Sequence, residues 1–174
     1  KGTRTCSGGS CSFSCNAGFD LCTNMSACSR NLWDFEDGTT QGYSVAAGPA
    51  PMSMGSPAHS GTSSLRFSVS TSTTATIDGF FYLPCPTNRQ GKTLSAYFFH
   101  STAPPLNSQY LIAGGSSTGP ATVVSAVGAS GGFWDSLSTP TTDAGSQNAT
   151  YVEVRVTISG PWMGTVFIDD ISWK

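Results

Sequence analysis

The chain has 174 residues and a formal net charge of -2, from 8 Lys and Arg against 10 Asp and Glu. That length suits one sandwich-sized domain with a short appendage and excludes two full domains. Charged residues make up only 10%, while Ser and Thr together supply about 28% of the chain, so hydroxyls replace the charge of an ordinary surface. With no basic cluster there is no electrostatic footprint for nucleic acid, and no apolar run approaches the roughly 20 residues of a membrane-spanning helix.

Twenty Gly and ten Pro, with many Ser, Thr and β-branched residues, leave few good helix formers. The chain reads as all-β.

In chain order, residues 1–30 come first as a cysteine-rich segment. Cys6, Cys11, Cys15, Cys22 and Cys28 crowd it, and Cys85 stands alone. An odd cluster pairs fully only if Cys85 bonds back to it. No Cys-x2-Cys pair occurs and neither His59 nor His100 is near, which argues against zinc and for disulfides. The segment has too few apolar residues for a core of its own, so it reads as a stapled arm. Of the connectivities open to six cysteines, the working choice is Cys6 with Cys15, Cys11 with Cys22 and Cys28 with Cys85. Disulfides imply an oxidising, extracellular setting, and the opening at Lys1 without Met is read as a processed segment of a secreted protein.

From residue 31 onward the signals are those of a β-sandwich domain over residues 31–174. Strands are predicted at 32–35, 43–46, 64–70, 76–83, 94–100, 110–113, 122–126, 133–137, 151–158 and 164–173, separated by Gly, Pro, Asn and Ser turns. In the clearest of them Val152, Val154, Val156 and Ile158 share one face and Tyr151, Glu153, Arg155 and Thr157 the other, the pattern of a half-buried antiparallel strand. About ten such strands describe a two-sheet antiparallel sandwich.

Five segments carry a family resemblance: Asn31-Leu32-Trp33-Asp34-Phe35-Glu36-Asp37-Gly38, Gly42-Tyr43, His59-Ser60-Gly61-Thr62-Ser63-Ser64-Leu65-Arg66, Gly91-Lys92-Thr93-Leu94-Ser95-Ala96-Tyr97, and Val166-Phe167-Ile168-Asp169-Asp170-Ile171. In order and spacing they resemble the jelly-roll carbohydrate-binding modules of families 4, 9 and 22, departing from them at Tyr43, often Trp, and at Thr93, usually aromatic. The cysteine-rich front end more loosely resembles short modules of secreted bacterial proteins. The resemblance implies a structural calcium ion between the first and last strands, held by the Glu36 and Asp169 side chains with carbonyls of Asp34, Ser60 and Ser63, an all-oxygen set that suits Ca2+. The alternative for Asp169 and Asp170 is hydrogen bonding to backbone amides or to Arg66.

Sugar binding needs exposed rings beside polar groups. Along residues 93–101, Leu94, Ala96 and Phe98 share one parity and Tyr97 and Phe99 the other, so one face has aromatics beyond the needs of a core. Tyr97, Phe99 and Tyr110, with Trp162 on a loop, are the candidate ligand-stacking residues. Trp33, Trp134 and Trp173 are assigned to the core and the two histidines to loops or sheet edges. No catalytic residue is assigned: Glu36 and Glu153 are the only glutamates and neither reads as a cleft-loop residue, and no Gly-x-Ser-x-Gly elbow occurs. The expected function is non-catalytic binding of a polysaccharide or cell-surface glycan. The competing expectation is a self-assembling extracellular structural protein, a surface, fibre or coat subunit binding copies of itself through the same sandwich.

Overall fold

The computed structural model describes residues 2–7, 10–24, 27–52, 55–116, 122–127, 131–142 and 144–174, with the side chains of residues 10, 11 and 122–127 outside the description. The arm contributes β1 (Gly2–Ser7), β2 (Ser10–Cys15), β3 (Phe19–Leu21) and β4 (Cys28–Arg30), paired as two antiparallel hairpins. Ten further strands follow: β5 (Leu32–Trp33), β6 (Tyr43–Ala47), β7 (Leu65–Thr71), β8 (Thr74–Thr87), β9 (Thr93–His100), β10 (Gln109–Gly115), β11 (Thr122–Val127), β12 (Trp134–Pro140), β13 (Ala149–Ser159) and β14 (Trp162–Trp173). Among the described residues the only helical turn is a short 3-10 segment, Ala144–Asn148.

These ten strands build the expected sandwich. Sheet I runs in the order β11-β10-β13-β8-β6, and sheet II in the order β12-β9-β14-β5 with β7 also paired to β14. Alternation decides which side chains meet between them. Val152, Val154, Val156 and Ile158 of sheet I and Leu94, Ala96, Phe98, Val166 and Ile168 of sheet II are all fully buried. Trp173 closes one end of this core, its indole N–H donating to Thr141 Oγ1 at 3.1 Å. A side chain at residue 114 would run into the Trp173 ring, so the small Gly114 permits that contact.

The arm is docked by covalent and buried polar contacts. Cys15–Cys28 closes it internally and Cys22–Cys85 ties it to β8, with Cα separations of 5.7 and 5.9 Å. The expectation that Cys85 bonds back to the cluster holds. The expected pairs Cys6–Cys15, Cys11–Cys22 and Cys28–Cys85 do not. The hairpin register places Cys15 opposite Gly2 and Cys6 opposite Cys11, so Cys6 and Cys15 sit a strand length apart, beyond the reach of a bridge. Cys6 is also disulfide-bonded, and no free cysteine occurs among the described residues.

Beside these bridges the Thr23 amide donates to the Pro86 carbonyl at 2.9 Å. Arg89 is wholly buried and donates to the Asp20 carboxylate of the arm, to the carbonyl of Arg30 at 2.8 Å and to that of Trp173 at 2.9 Å. Burial brings its pKa down to about 10, which still leaves it charged at neutral pH. One guanidinium therefore joins the arm, the loop after β8 and the last strand.

Candidate saccharide-binding faces

The outer face of sheet II carries the rings expected from the parity of β9. Tyr97 and Phe99 point outward and are half-buried, as is Trp134. Across the strands, Trp134 of β12 and Phe167 of β14 both lie opposite Phe99, at ring-centroid distances of 5.4 and 5.7 Å. The Arg66 guanidinium lies 5.8 Å above the Phe167 ring. Tyr97 is covered: His59, from the segment before β7, stacks on it with centroids 3.5 Å apart and planes 15° inclined.

Four assignments change. Tyr110 is not a surface ring. It is 1% exposed, lies inside the sandwich on Phe98, and its hydroxyl donates to Asp135 Oδ2 at 3.0 Å while meeting His100 Nδ1 at 2.7 Å. Since the one hydroxyl hydrogen serves the carboxylate, His100 must donate from Nδ1. His100 is thus no edge residue but a buried neutral imidazole, its pKa pushed down to about 4 by burial, against the opposing pull of Asp135. Trp162 is not a loop ring either. It begins β14 facing inward, 8% exposed, with Nε1 donating to the Ala103 carbonyl at 3.0 Å. Trp134, expected in the core, lies on the outer face, because the register that buries Leu137 opposite Ala96 turns Trp134 outward beside Phe99.

A second face escaped the sequence reading. In β8, Ile77, Phe81 and Leu83 are buried, so Asp78, Phe80 and Tyr82 take the other parity. The register sets Tyr82 opposite Tyr151, Phe80 opposite Glu153 and Asp78 opposite Arg155. Phe80 stacks with Tyr82 at 5.8 Å and meets Tyr151 edge-on at 5.8 Å, and Tyr82 remains 66% exposed. On β10 the next residues across are Gly115 and Ala113, too small to raise that side, so the three rings stand beside a lower floor.

Next to them lies an ion triad. Arg155 Nη2 is 3.1 Å from Asp78 Oδ2 and 2.7 Å from Glu153 Oε1. Burial and the Asp78 charge raise the Glu153 pKa, although Arg155 opposes them. Burial would lower that of Arg155, but the two carboxylates outweigh it and raise it. Asp78 Oδ1 and Arg155 Nε are buried without a hydrogen-bond partner among the described residues. The parity test that singled out Tyr97 and Phe99, applied to β8, would have found Phe80 and Tyr82.

The carboxylates nominated for calcium clamp the loop before β7. Asp169 is fully buried. Its Oδ2 accepts from the His59 and Ser60 amides at 2.8 and 3.3 Å, and its Oδ1 from the Asp170 amide at 2.8 Å. Burial raises its pKa to about 7 against those amide bonds. Glu36 accepts from the Thr62 and Ser63 amides at 2.9 and 2.7 Å and from the Thr62 hydroxyl at 2.9 Å, and these bonds, led by the Thr62 amide, lower its pKa. Asp170 binds the side chains of His59 and Ser60, and the Asp34 side chain accepts from Gln41. The two carboxylates thus grip opposite ends of the Ser60 to Ser63 turn through hydrogen bonds. Among the described residues no three His, Cys, Asp or Glu gather as a metal site. The donor set alone does not call for an ion.

The sequence matches no protein-family model and no curated protein; the likeness lies in the fold. A family 61 carbohydrate-binding module, TmCBM61, solved in complex with β-1,4-galactotriose, superposes with a TM-score of 0.59 at 14% identity over 83% of this chain and 97% of that one. A structure described as showing the promiscuous specificity of carbohydrate-binding modules of the β-sandwich superfamily gives 0.62 at 16% identity over 95% and 68%. The Caldicellulosiruptor saccharolyticus CBM27-1 complex with mannohexaose gives 0.56 at 13% identity over 82% and 95%. The adhesin domain K3 of the Porphyromonas gingivalis Lys-gingipain shares the same sandwich, at 0.57 and 13% over 82% and 97%.

Proposed function

We propose that this protein is a secreted, non-catalytic polysaccharide-binding module whose platform is the outer face of sheet I. The observation that carries the reading is the row of Phe80, Tyr82 and Tyr151 beside the Asp78, Arg155 and Glu153 triad. A pyranose ring has an apolar C–H face and a rim of hydroxyls. The first stacks on exposed aromatics and the second needs fixed donors and acceptors. Neighbouring strands lie about 4.8 Å apart, so a sugar chain crossing them meets new side chains at a spacing close to the length of one sugar unit. The likeness in fold to sugar-bound sandwiches supports the same reading, and the disulfides support an oxidising, extracellular setting.

Sheet I is preferred to the Tyr97 and Phe99 face because His59 already occupies the Tyr97 ring. Phe99 and Trp134 remain the second surface. Calcium belongs to the proposal on one ground: the buried Asp169 carboxylate pairs with no basic side chain among the described residues, and a cation held with main-chain carbonyls of its loop would neutralise it. Affinity electrophoresis through soluble polysaccharides tests the function. Retardation of the native protein by at least one glycan, relieved in Tyr82→Ala, is expected. A polymer in size exclusion that no glycan retards would favour the self-assembling subunit instead.

A further inference from the structure

The arm and the sandwich border an open-sided cavity of about 570 Å³, within the usual size range of small-molecule sites. Its lining includes Phe19, Ala27 and Arg30 of the arm, Asp37 of the turn after β5, and Tyr82, Leu83 and Pro84 of β8. Tyr82 therefore belongs both to this cavity and to the ring row of sheet I.

We infer that the cavity is a saccharide subsite built jointly by the cysteine-rich arm and the sandwich, seating the sugar units at one end of a chain that runs off the platform past Tyr82. The inference rests on the platform reading above. Its chemistry is that of a neutral, hydroxyl-rich ring. Phe19, Tyr82, Leu83 and Pro84 offer apolar surface, while polar groups of both senses converge on it. Asp37 Oδ1 is already taken by the Thr39 amide and hydroxyl, and its Oδ2 faces Arg30 at 3.8 Å, beyond hydrogen-bond distance; the Gln41 side chain also bonds the carboxylate, which still has lone pairs to spare. The carboxylate thus keeps a lone pair for a sugar hydroxyl. Arg30 lies 5.2 Å over the Phe19 ring and gives one nitrogen to the Leu32 carbonyl, so its remaining N–H groups can donate. An acidic sugar would meet Asp37 and a lipid tail would strand these polar groups, whereas a neutral sugar satisfies both signs of donor.

Calorimetry with β-1,4-linked manno- and galacto-oligosaccharides of two to six units tests this, using the intact, unreduced protein and Asp37→Ala, Ala27→Trp and Phe80→Ala variants. Asp37 is exposed, so its truncation leaves the fold intact, and Ala27→Trp fills the cavity from the arm side, leaving Phe80 and Tyr151 of the platform clear; unchanged unfolding midpoints verify both. The expected result is that affinity in the wild type rises with oligosaccharide length, that Asp37→Ala and Ala27→Trp each remove about five- to tenfold of it for the longest chains, the effect of one lost contact of this kind, and that binding of the shortest chains is unchanged. Phe80→Ala should weaken binding at every length. If Phe80→Ala weakens binding while Asp37→Ala and Ala27→Trp match the wild type throughout, the joint subsite is wrong and the platform stands. If the wild type binds none of these sugars nor any polysaccharide in the electrophoresis, both fall.

Discussion

His59 lies flat on Tyr97, with ring centroids 3.5 Å apart, and its Nδ1 is fixed 2.7 Å from Asp170 Oδ2. The stack fastens the loop before β7 to sheet II and removes the Tyr97 ring from the surface available to a ligand. Tyr97→Ala should therefore cost stability, about 1 kcal/mol or more for the lost ring pair and the area it covers, and leave glycan binding unchanged. Tyr82→Ala should do the reverse, lowering affinity by about 1 to 3 kcal/mol with little change in unfolding. Phe98→Ala, between the sheets, should cost about 3 to 5 kcal/mol. Paired denaturation and binding measurements separate the three; a binding loss in Tyr97→Ala at unchanged stability would move the platform to sheet II.

The arm should depend on one buried charge pair as much as on its bridges. Replacing Asp20 by Ala leaves the Arg89 guanidinium, fully buried, with Lys92 also deprived of its carboxylate at 3.2 Å. Removing one member of a buried pair typically costs about 3 to 5 kcal/mol, whereas loss of an exposed pair is worth less than about 1 kcal/mol. Urea unfolding of Asp20→Ala against Arg30→Ala, whose ion pair with Asp37 is long at 3.8 Å, should show that order. Equal effects would mean that Arg89 is not held as described.

Periodicity made the sandwich legible: Val152 to Ile158 announced β13 because a strand buried on one face must alternate. The disulfide partners were not legible, since pairing depends on hairpin register, and the register of β1 on β2 is set by backbone geometry that Ser and Thr side chains do not announce. Tyr110 and Tyr97 look alike as strand aromatics. What separates them is a partner far away in sequence: Asp135 accepts the hydroxyl of one inside the sandwich, and His59 covers the other outside it. Arg89 gave no signal at all, because a buried arginine is recognised only by the carbonyls and carboxylate that surround it.

Calcium, if it joins the Asp169 loop to the first strand, should raise the unfolding midpoint by mass action, as any ligand of the native state alone does. Scanning calorimetry in EGTA and in millimolar calcium should show a gain in the wild type that disappears in Asp169→Asn. Identical midpoints with and without chelator would leave the loop held by its amide hydrogen bonds alone.

Two buried groups should give stability opposite dependences on pH. His100 titrates near 6.5 when unfolded but is pushed down to about 4 by burial in the native state. Between these values the unfolded chain holds the extra proton, so stability falls as pH drops from 6.5 towards 4. Asp169 is raised from 3.8 to about 7. In its window the native state holds the extra proton, so stability rises as pH drops from 7 towards 3.8 and is lost on the way back up. Each group contributes a slope of at most about 1.4 kcal/mol per pH unit, and between pH 4 and 6.5 the two largely cancel. Single substitutions uncover them. Measured in EGTA and relative to wild type, Asp169→Asn should become less stable on acidification through this range, because only the histidine slope remains. His100→Gln should become more stable over the same range. Relative curves of the same sign in the two variants would mean that one of these groups is not held in the protonation state assigned to it.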